Sequence, residues 1–129
     1  MQKLILFLLA VMLLTACGQD KENDKGAVYV NITAEEAKQI MDSEEGYIIL
    51  DVRTQEEYDE GHIPGAILIS HEEIEEKAED VLTDKDQLIL VYCRSGRRSK
   101  LAAEALVELG YTNIKEFGGI IDWTYEIEQ

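Results

Sequence analysis

A cysteine in a cationic turn is the residue of this sequence best suited to covalent chemistry. Cys93 follows the apolar run 88–92, which predicts a buried strand, and the alanine- and leucine-rich segment from about Lys100 predicts a helix. The residues between Cys93 and Lys100 complete the loop, and we expect them to bind the substrate: Arg94, Ser95, Gly96, Arg97, Arg98 and Ser99. Backbone N–H groups and the positive end of the helix dipole stabilise a thiolate at such a turn. The loop is therefore predicted to hold an anion beside a nucleophilic Cys93.

The charge of the whole chain sets this cationic loop apart. The 129 residues carry a formal net charge of −15 at pH 7, which argues against a nucleic-acid partner because such proteins present a basic face. Against this background Arg94, Arg97, Arg98 and Lys100 concentrate positive charge around Cys93. The length suits one domain, and 46% hydrophobic residues are enough for one core. We therefore expect a local anion site on an acidic domain.

The first residues resemble a bacterial lipoprotein signal peptide. Lys3 precedes the apolar run 4–14, which is shorter than the roughly 20 residues needed to span a membrane. The run ends in Leu14-Thr15-Ala16-Cys17, which resembles a lipobox. The resemblance implies cleavage before Cys17 and acylation of its sulfur, which would leave Cys93 as the one free thiol. An ordinary signal peptide or a short uncleaved anchor is the alternative.

The next segment predicts how the chain is organised. Residues 17–26 are polar, charged and without apolar periodicity, so we expect a lipidated Cys17 followed by a flexible tether. The expected organisation is a cleaved signal peptide at 1–16, the tether at 17–26 and one folded domain at 27–129. Acyl chains on Cys17 would hold this domain outside the cytoplasm, on a bacterial membrane.

Strands alternate with helices through the folded domain. The predicted strands cover 28–32, 47–50, 66–69, 88–92 and 114–117. The predicted helices begin at capping boxes 33–36, 54–57 and 70–73, follow the cysteine loop up to Gly110, and close the chain around Trp123. This alternation predicts a three-layer α/β domain, with a roughly five-stranded, mostly parallel sheet flanked by helices.

Four stretches, taken in order, resemble the rhodanese-like family. They are 50–53 with Glu57-Tyr58, then Gly61-His62-Ile63-Pro64-Gly65-Ala66, then the cysteine loop 93–99, and finally Gly118-Gly119 with Trp123. The resemblance spans about 27–129 and implies a single rhodanese domain.

The resemblance also implies a chemistry for the cysteine. In the family a cysteine thiolate attacks a sulfane sulfur, becomes a persulfide, and passes the sulfur to a thiol or cyanide acceptor. Cys93 would be this cysteine, and a small anionic donor such as thiosulfate or a persulfide would be its substrate. No cofactor is expected. Two distant histidines and one free cysteine make no metal-ligand set, and no phosphate-binding or dinucleotide motif is present.

Loop length separates sulfur transfer from a phosphatase or arsenate reductase. Rhodanese-like domains with those activities have a seven-residue loop that ends in arginine. Counted from Cys93, the sixth residue is Arg98 and the seventh is Ser99. The resemblance therefore favours sulfur.

A non-catalytic binding or redox-sensing module is the other alternative. Such a module would use the same pocket for recognition, and a fold does not by itself establish an activity. The intact cysteine loop argues against this alternative. A persulfide that no acceptor discharges would indicate a carrier or sensor.

The individual loop residues have more than one interpretation. Arg94 and Arg97 either contact the substrate or are solvated charges. Arg98 is expected to point into the loop or brace it, because its position matches an arginine that recurs in the family. Ser95 and Ser99 either hydrogen-bond the reactive sulfur or cap the turn and the helix.

Polar residues outside the loop are interpreted as structural support. Asp51 and Arg53 follow a predicted strand, and we expect them to pair with nearby charges such as Glu57. His62 is expected to fix its loop through a backbone hydrogen bond rather than to act as a base. His71, in the first turn of a predicted helix, is expected at the surface.

Overall fold

The structure, a computed structural model of the chain, describes residues 28–129. The predicted signal peptide 1–16 and the tether with Cys17 lie outside the described residues. The strands are β1 (Val30–Asn31), β2 (Ile48–Asp51), β3 (Ile67–Leu68), β4 (Ile89–Cys93) and β5 (Ile114–Gly119). They form one sheet in the order β1-β5-β4-β2-β3, and every neighbouring pair is parallel. The predicted five-stranded parallel sheet is confirmed.

Helices cover both faces of this sheet. The α-helices are α1 (Ala34–Ser43), α2 (Gln55–Glu60), α3 (Ile74–Val81) and α4 (Arg97–Glu108), and short 3₁₀ segments cover His71–Glu73 and Ile120–Asp122. No helix of the described part is long and apolar enough to cross a membrane.

The core lies on both sides of the sheet because successive strand residues face opposite ways. Leu50 and Val91 belong to the hydrophobic cluster that includes α3 and α4, whereas their neighbours Ile49 and Leu90 belong to the cluster that includes α1. All five residues of β4 are buried, as expected of a central parallel strand. The three-layer prediction follows from this arrangement and is confirmed.

Two of the three predicted capping boxes are present. Thr33 caps α1 and Thr54 caps α2. Each threonine hydroxyl accepts the N–H of the glutamate three residues later, and that glutamate's carboxylate accepts the threonine N–H. The third prediction is wrong, because Ser70 makes no side-chain cap hydrogen bond and α3 begins only at Ile74. The N–H of His71 donates instead to the carbonyl of Val52 at 3.0 Å, and this tertiary bond leaves a 3₁₀ turn before the helix.

The helix after Cys93 and the C-terminal tail both differ from prediction. The helix after the cysteine begins at Arg97, three residues before the expected start. Gly96 is the N-cap residue of this helix and adopts a left-handed conformation. The predicted helix around Trp123 is absent. A 3₁₀ segment ends at Asp122, and the chain then extends to Glu128, which pairs with His62 in an antiparallel bridge.

Candidate active site

Cys93 is the last residue of β4 and lies at the carboxyl edge of the sheet. Asp51 ends the neighbouring β2, and Gly119 ends β5 on the other side. The register with β5 shifts between Val91 and Cys93, so that Cys93 pairs with Gly119. A Cβ atom at Gly119 would collide with the backbone carbonyl of Arg94. Glycine at this position therefore lets the cysteine loop approach β5.

The turn after Cys93 directs backbone N–H groups at the sulfur. The N–H of Gly96 donates to Sγ at 3.0 Å, and the Ser99 hydroxyl lies 3.4 Å from Sγ. Gly96 has φ +109°, a left-handed conformation that side chains disfavour. Because α4 begins directly after it, the positive end of a helix of 12 residues faces the thiol.

These contacts favour the thiolate form of Cys93. Burial raises the pKa of the thiol, since Cys93 is only 1% exposed. Hydrogen bonding to the Ser99 side chain, and to backbone N–H groups of Ser99, Gly96 and Ser95, outweighs burial and holds the pKa below its ordinary value. Cys93 is thus a buried thiol whose surroundings stabilise negative charge, as a nucleophile or a persulfide requires.

Arg98 braces the loop from outside rather than pointing at the sulfur. It donates two hydrogen bonds to Glu57, one to each carboxylate oxygen, at 2.7 and 3.0 Å. The Arg98 guanidinium lowers the pKa of Glu57 to about 2, against a smaller opposing effect of burial and with help from Thr54. Glu57 therefore pairs with Arg98, and the expected pairing of Glu57 with Arg53 is not found.

Asp51 and Arg53 pair with each other. The Arg53 side chain donates to both carboxylate oxygens of Asp51, with a shortest distance of 2.7 Å, and also to the carbonyl of Gly61 at 2.7 Å. Tyr92 donates to Asp51 at 2.6 Å and accepts from the N–H of Ile63 at 3.1 Å. This buried cluster ties the ends of β2 and β4 to the loop 61–63.

His62 is held on several sides. Its Nδ1 lies 2.9 Å from the carbonyl of Tyr58, its ring stacks on the Tyr58 ring at 3.7 Å, and its Nε2 lies 3.3 Å from Glu128. The expected backbone hydrogen bond is present, and the ring is engaged away from the sulfur. His71 differs from expectation: it is partly buried, and Nδ1 has no hydrogen-bond partner among residues 28–129.

Three side chains of the loop face solvent, and two of them are cationic. Arg94, Ser95 and Arg97 are exposed, and within residues 28–129 neither arginine forms an ion pair. Arg94 borders a cavity of about 330 Å³ together with Ile121 and Ile127. Two exposed guanidinium groups at the edge of the loop can attract a small anion.

Glu116 is the site residue that the sequence-based prediction missed. It lies in the middle of β5, is fully buried, and contacts the Ser99 hydroxyl at 2.5 Å. The sequence does place a glutamate inside the predicted strand 114–117, between Ile114 and Phe117, where a buried strand leaves no solvent for a charge. No group of three or more potential metal ligands occurs within residues 28–129.

Several relatives carry names that refer to sulfur chemistry. The chain is 37% identical over 112 residues to the putative sulfur carrier protein YrkF of Bacillus subtilis, covering 86% of this chain and 60% of that protein. It is 41% identical over 73 residues to the thiosulfate sulfurtransferase PspE of Escherichia coli, covering 57% and 70%. The chain thus spans less than two thirds of the first relative's length. These names support a rhodanese-like domain of the sulfurtransferase type.

Solved structures and the family comparison agree with the geometry. A rhodanese with anions from E. coli has a TM-score of 0.61 and 36% identity, and covers 64% of this chain and 98% of that one. A rhodanese-related protein from Thermoplasma volcanium has a TM-score of 0.67 and 31% identity, and covers 78% and 98%. Residues 33–126 match the model of the rhodanese-like domain. With the cysteine loop at the end of a central parallel strand, this match shows that the chain belongs to the rhodanese-like domain family.

Proposed function

We propose that the protein is a sulfurtransferase that carries a sulfane sulfur on Cys93. The observation that carries the proposal is the set of groups around the Cys93 thiol. The thiol is 3.0 Å from the N–H of Gly96, faces the N-terminus of α4, and has a pKa held below its ordinary value. These features stabilise both a thiolate nucleophile and the anionic persulfide that it would form.

In the first step the Cys93 thiolate attacks the outer sulfur of a donor such as thiosulfate. A new S–S bond forms, the donor's S–S bond breaks, and sulfite leaves with the bonding electron pair. The product is an anionic persulfide on Cys93. Loop N–H groups and the dipole of α4 stabilise it, and the exposed Arg94 and Arg97 attract the anionic donor.

In the second step a thiolate acceptor, or cyanide, attacks the outer sulfur of the persulfide. The persulfide S–S bond breaks and the Cys93 thiolate is restored, so that no net redox change occurs at the protein. The cavity beside Arg94 leaves room for the acceptor, and Ile121 and Ile127 on its wall suit an acceptor with an apolar part.

The contacts of Arg98 argue against phosphatase or arsenate reductase activity. An oxyanion loop of that kind needs a guanidinium directed at the bound oxyanion. Both ends of the Arg98 guanidinium are taken up by Glu57. Sulfur transfer needs no such arginine, because the loop N–H groups suffice for a persulfide.

A sulfur carrier that forms the persulfide without rapid turnover is the second candidate. A relative with 37% identity is named a putative sulfur carrier protein, which supports this alternative. The two functions share the first step and differ in the second. Discharge of the persulfide by an added thiol or cyanide, with repeated turnover, distinguishes the enzyme from the carrier.

The test is incubation of the full-length chain, purified in detergent, with thiosulfate. Trypsin releases Cys93 in the peptide 86–94, whose mass should rise by one sulfur atom. Cyanide should then remove that sulfur and yield thiocyanate. Cys93→Ser is the control and should neither gain sulfur nor turn over. No mass gain with thiosulfate or with an organic persulfide would overturn the proposal.

We further propose that a lipid on Cys17 tethers the domain to a bacterial membrane, outside the cytoplasm. The resemblance of 14–17 to a lipobox and the polar composition of 18–26 support this. In bacteria fed a labelled fatty acid, the wild-type chain should acquire label and sediment with membranes. Cys17→Ser should do neither, and label that persists in this variant would contradict the tether.

A further inference from the structure

Glu116 is a buried carboxylate that the two steps of sulfur transfer leave without a role. It is 0% exposed, and within residues 28–129 it forms no ion pair. Asn31 donates to Oε1 at 2.5 Å, the N–H of Gly118 donates to Oε2 at 2.8 Å, and the Ser99 hydroxyl lies 2.5 Å from Oε2. A buried carboxylate without a cation destabilises a fold unless its hydrogen bonds compensate for lost solvation. Such a group next to the cysteine loop is a candidate for chemistry.

The Ser99 hydroxyl connects this carboxylate to the reactive sulfur. Oγ lies 2.5 Å from Oε2 of Glu116, 3.0 Å from the carbonyl of Gly96 and 3.3 Å from the carbonyl of Gly118. A hydroxyl has one proton and can donate it to one of these three oxygens. The Glu116 carboxylate is the nearest of them and the strongest acceptor. When Ser99 donates to Glu116, an Oγ lone pair is free to accept the S–H of Cys93, whose Sγ is 3.4 Å away.

We propose that Glu116 accepts the proton of Cys93 through the hydroxyl of Ser99. The S–H bond breaks as a new Oγ–H bond forms on Ser99, while the original Oγ–H bond breaks and a bond forms between hydrogen and Oε2. The products are a thiolate, an intact serine hydroxyl and a neutral glutamic acid. One proton has moved, and nothing is oxidised or reduced. The inference rests on the proposed function, since it assigns a residue to activation of the same thiol.

The relay solves two problems that burial creates. Cys93 is 1% exposed, so its proton has little direct access to bulk water. After transfer the Ser99 hydroxyl is free to turn and donate to the thiolate, because neutral Glu116 then donates to Oγ. Neutralising Glu116 also removes a negative charge from beside the anionic sulfur, which would otherwise disfavour it.

Two other carboxylates near the sulfur, Asp51 and Glu57, are each paired with an arginine. From α4, Arg98 is paired with Glu57 of α2. From the end of β2, Asp51 is paired with Arg53. Within residues 28–129, Glu116 is the carboxylate that shares a hydrogen-bonding group with Sγ of Cys93. It is therefore the acceptor that the geometry selects.

The test is the pH profile of Cys93 alkylation by iodoacetamide, read from the mass of the tryptic peptide 86–94 of the full-length chain. Two coupled groups that share one proton titrate in two steps. The wild-type rate, on a logarithmic axis, should therefore show a plateau between an acid step and an alkaline step. In Glu116→Gln a single step should remain, below which the rate falls about tenfold per pH unit. That step should lie at lower pH than the wild-type alkaline step, because a like charge has been removed.

Two further variants separate the relay from a packing role. Ser99→Ala breaks the relay at its centre and should also lose the plateau, which keeps the test valid if Glu116→Gln does not fold. Asn31→Ala removes a hydrogen bond to the other oxygen of Glu116 and should keep the plateau. A single-step wild-type profile overturns the proposal, as does a plateau that survives in either relay variant or disappears in Asn31→Ala.

The assay also separates this proposal from the proposed function, because alkylation uses no sulfur donor. A wild-type chain with the plateau but without sulfur transfer would overturn the proposed function alone. A chain that transfers sulfur but shows one alkylation step would overturn the relay alone.

Discussion

Arg98 and Glu57 join the first turn of α4 to α2 through two hydrogen bonds, at 2.7 and 3.0 Å. Both side chains are about three-quarters buried or more, with 21% and 24% of their surface exposed. The pair therefore fixes the start of α4, and with it the Gly96 N–H that faces the sulfur of Cys93. Stability of the fold and geometry of the loop are linked at this contact.

The first prediction concerns the pH dependence of stability. The pKa of Glu57 is lowered from 4.5 to about 2 in the folded protein. A carboxyl with a lowered folded pKa contributes stability above its unfolded pKa, and this contribution is lost as pH falls from about 4.5 towards 2. Glu57→Gln should lower the free energy of unfolding at pH 7 by on the order of 1–3 kcal/mol.

Urea denaturation at pH 7 and at pH 3 measures this effect. The difference in free energy of unfolding between wild type and Glu57→Gln should be smaller at pH 3, since the wild type has by then lost part of the stabilisation from ionised Glu57. Glu56→Gln changes an exposed side chain of the same helix and is the matched control. A gap for Glu57→Gln that is equal at both pH values would show that the pair does not stabilise the fold electrostatically.

The second prediction concerns the left-handed glycine of the loop. Gly96 has φ +109°, and Gly46, at the turn before β2, has φ +77° with nothing within 4 Å of an added Cβ. Alanine at either position should cost about 1–2 kcal/mol of stability, because L side chains disfavour this conformation. Only Gly96→Ala should also slow alkylation of Cys93 at pH 7, since it displaces the N–H that lies 3.0 Å from Sγ.

The comparison of the two alanine variants isolates the role of the N–H group. Unfolding by urea measures the loss of stability expected in both variants. The rate of alkylation by iodoacetamide measures how much of Cys93 is present as thiolate. Equal alkylation rates in Gly96→Ala and Gly46→Ala, at comparable losses of stability, would mean that the Gly96 N–H does not activate the thiol.

Local patterns were enough to predict much of this fold. The apolar run before Cys93 is a buried strand, and the capping boxes at Thr33 and Thr54 start helices, because strand burial and helix capping depend on neighbouring residues. The turn residues after Cys93 likewise placed the thiol between a strand and a helix. These signals act over a few residues, and the sequence displays them directly.

Contacts between distant residues could not be predicted in the same way. Glu57 is hydrogen-bonded to Arg98, 41 positions away, and not to the nearby Arg53. Glu116, on β5, is hydrogen-bonded to Ser99 of α4. The tail did not form a helix because Glu128 instead pairs with His62 across the structure. Each of these outcomes depends on which strands lie side by side, and the residue types alone do not specify it.

The third prediction concerns the buried hydroxyl of Tyr92. This hydroxyl donates to Asp51 at 2.6 Å and accepts the N–H of Ile63 at 3.1 Å. Tyr92→Phe should destabilise the protein by about 1–3 kcal/mol, because it leaves a buried N–H and a buried carboxylate each short of a partner. Urea denaturation measures the loss.

Tyr111→Phe is the matched control for this variant. Tyr111 is equally buried, and within residues 28–129 its hydroxyl makes one hydrogen bond, to the carbonyl of Leu82. It should therefore cost less than Tyr92→Phe. A Tyr92→Phe variant as stable as wild type would show that the Asp51–Tyr92–Ile63 contacts do not hold the loop 61–63.

The last prediction concerns the exposed arginines of the loop. Arg94 and Arg97 form no ion pair within residues 28–129, so their charges are free to attract an anionic donor on a chain with a net charge of −15. The double variant Arg94→Ala/Arg97→Ala should lower kcat/KM for thiosulfate roughly tenfold, mainly by raising KM, and should weaken the salt dependence of the reaction. Steady-state kinetics at low and high salt measures both effects. Lys77→Ala, which removes a cation paired with Glu73 away from the loop, is the control and should leave kcat/KM unchanged. If the double variant keeps the wild-type KM and salt dependence, the two arginines are solvated charges without a part in donor binding.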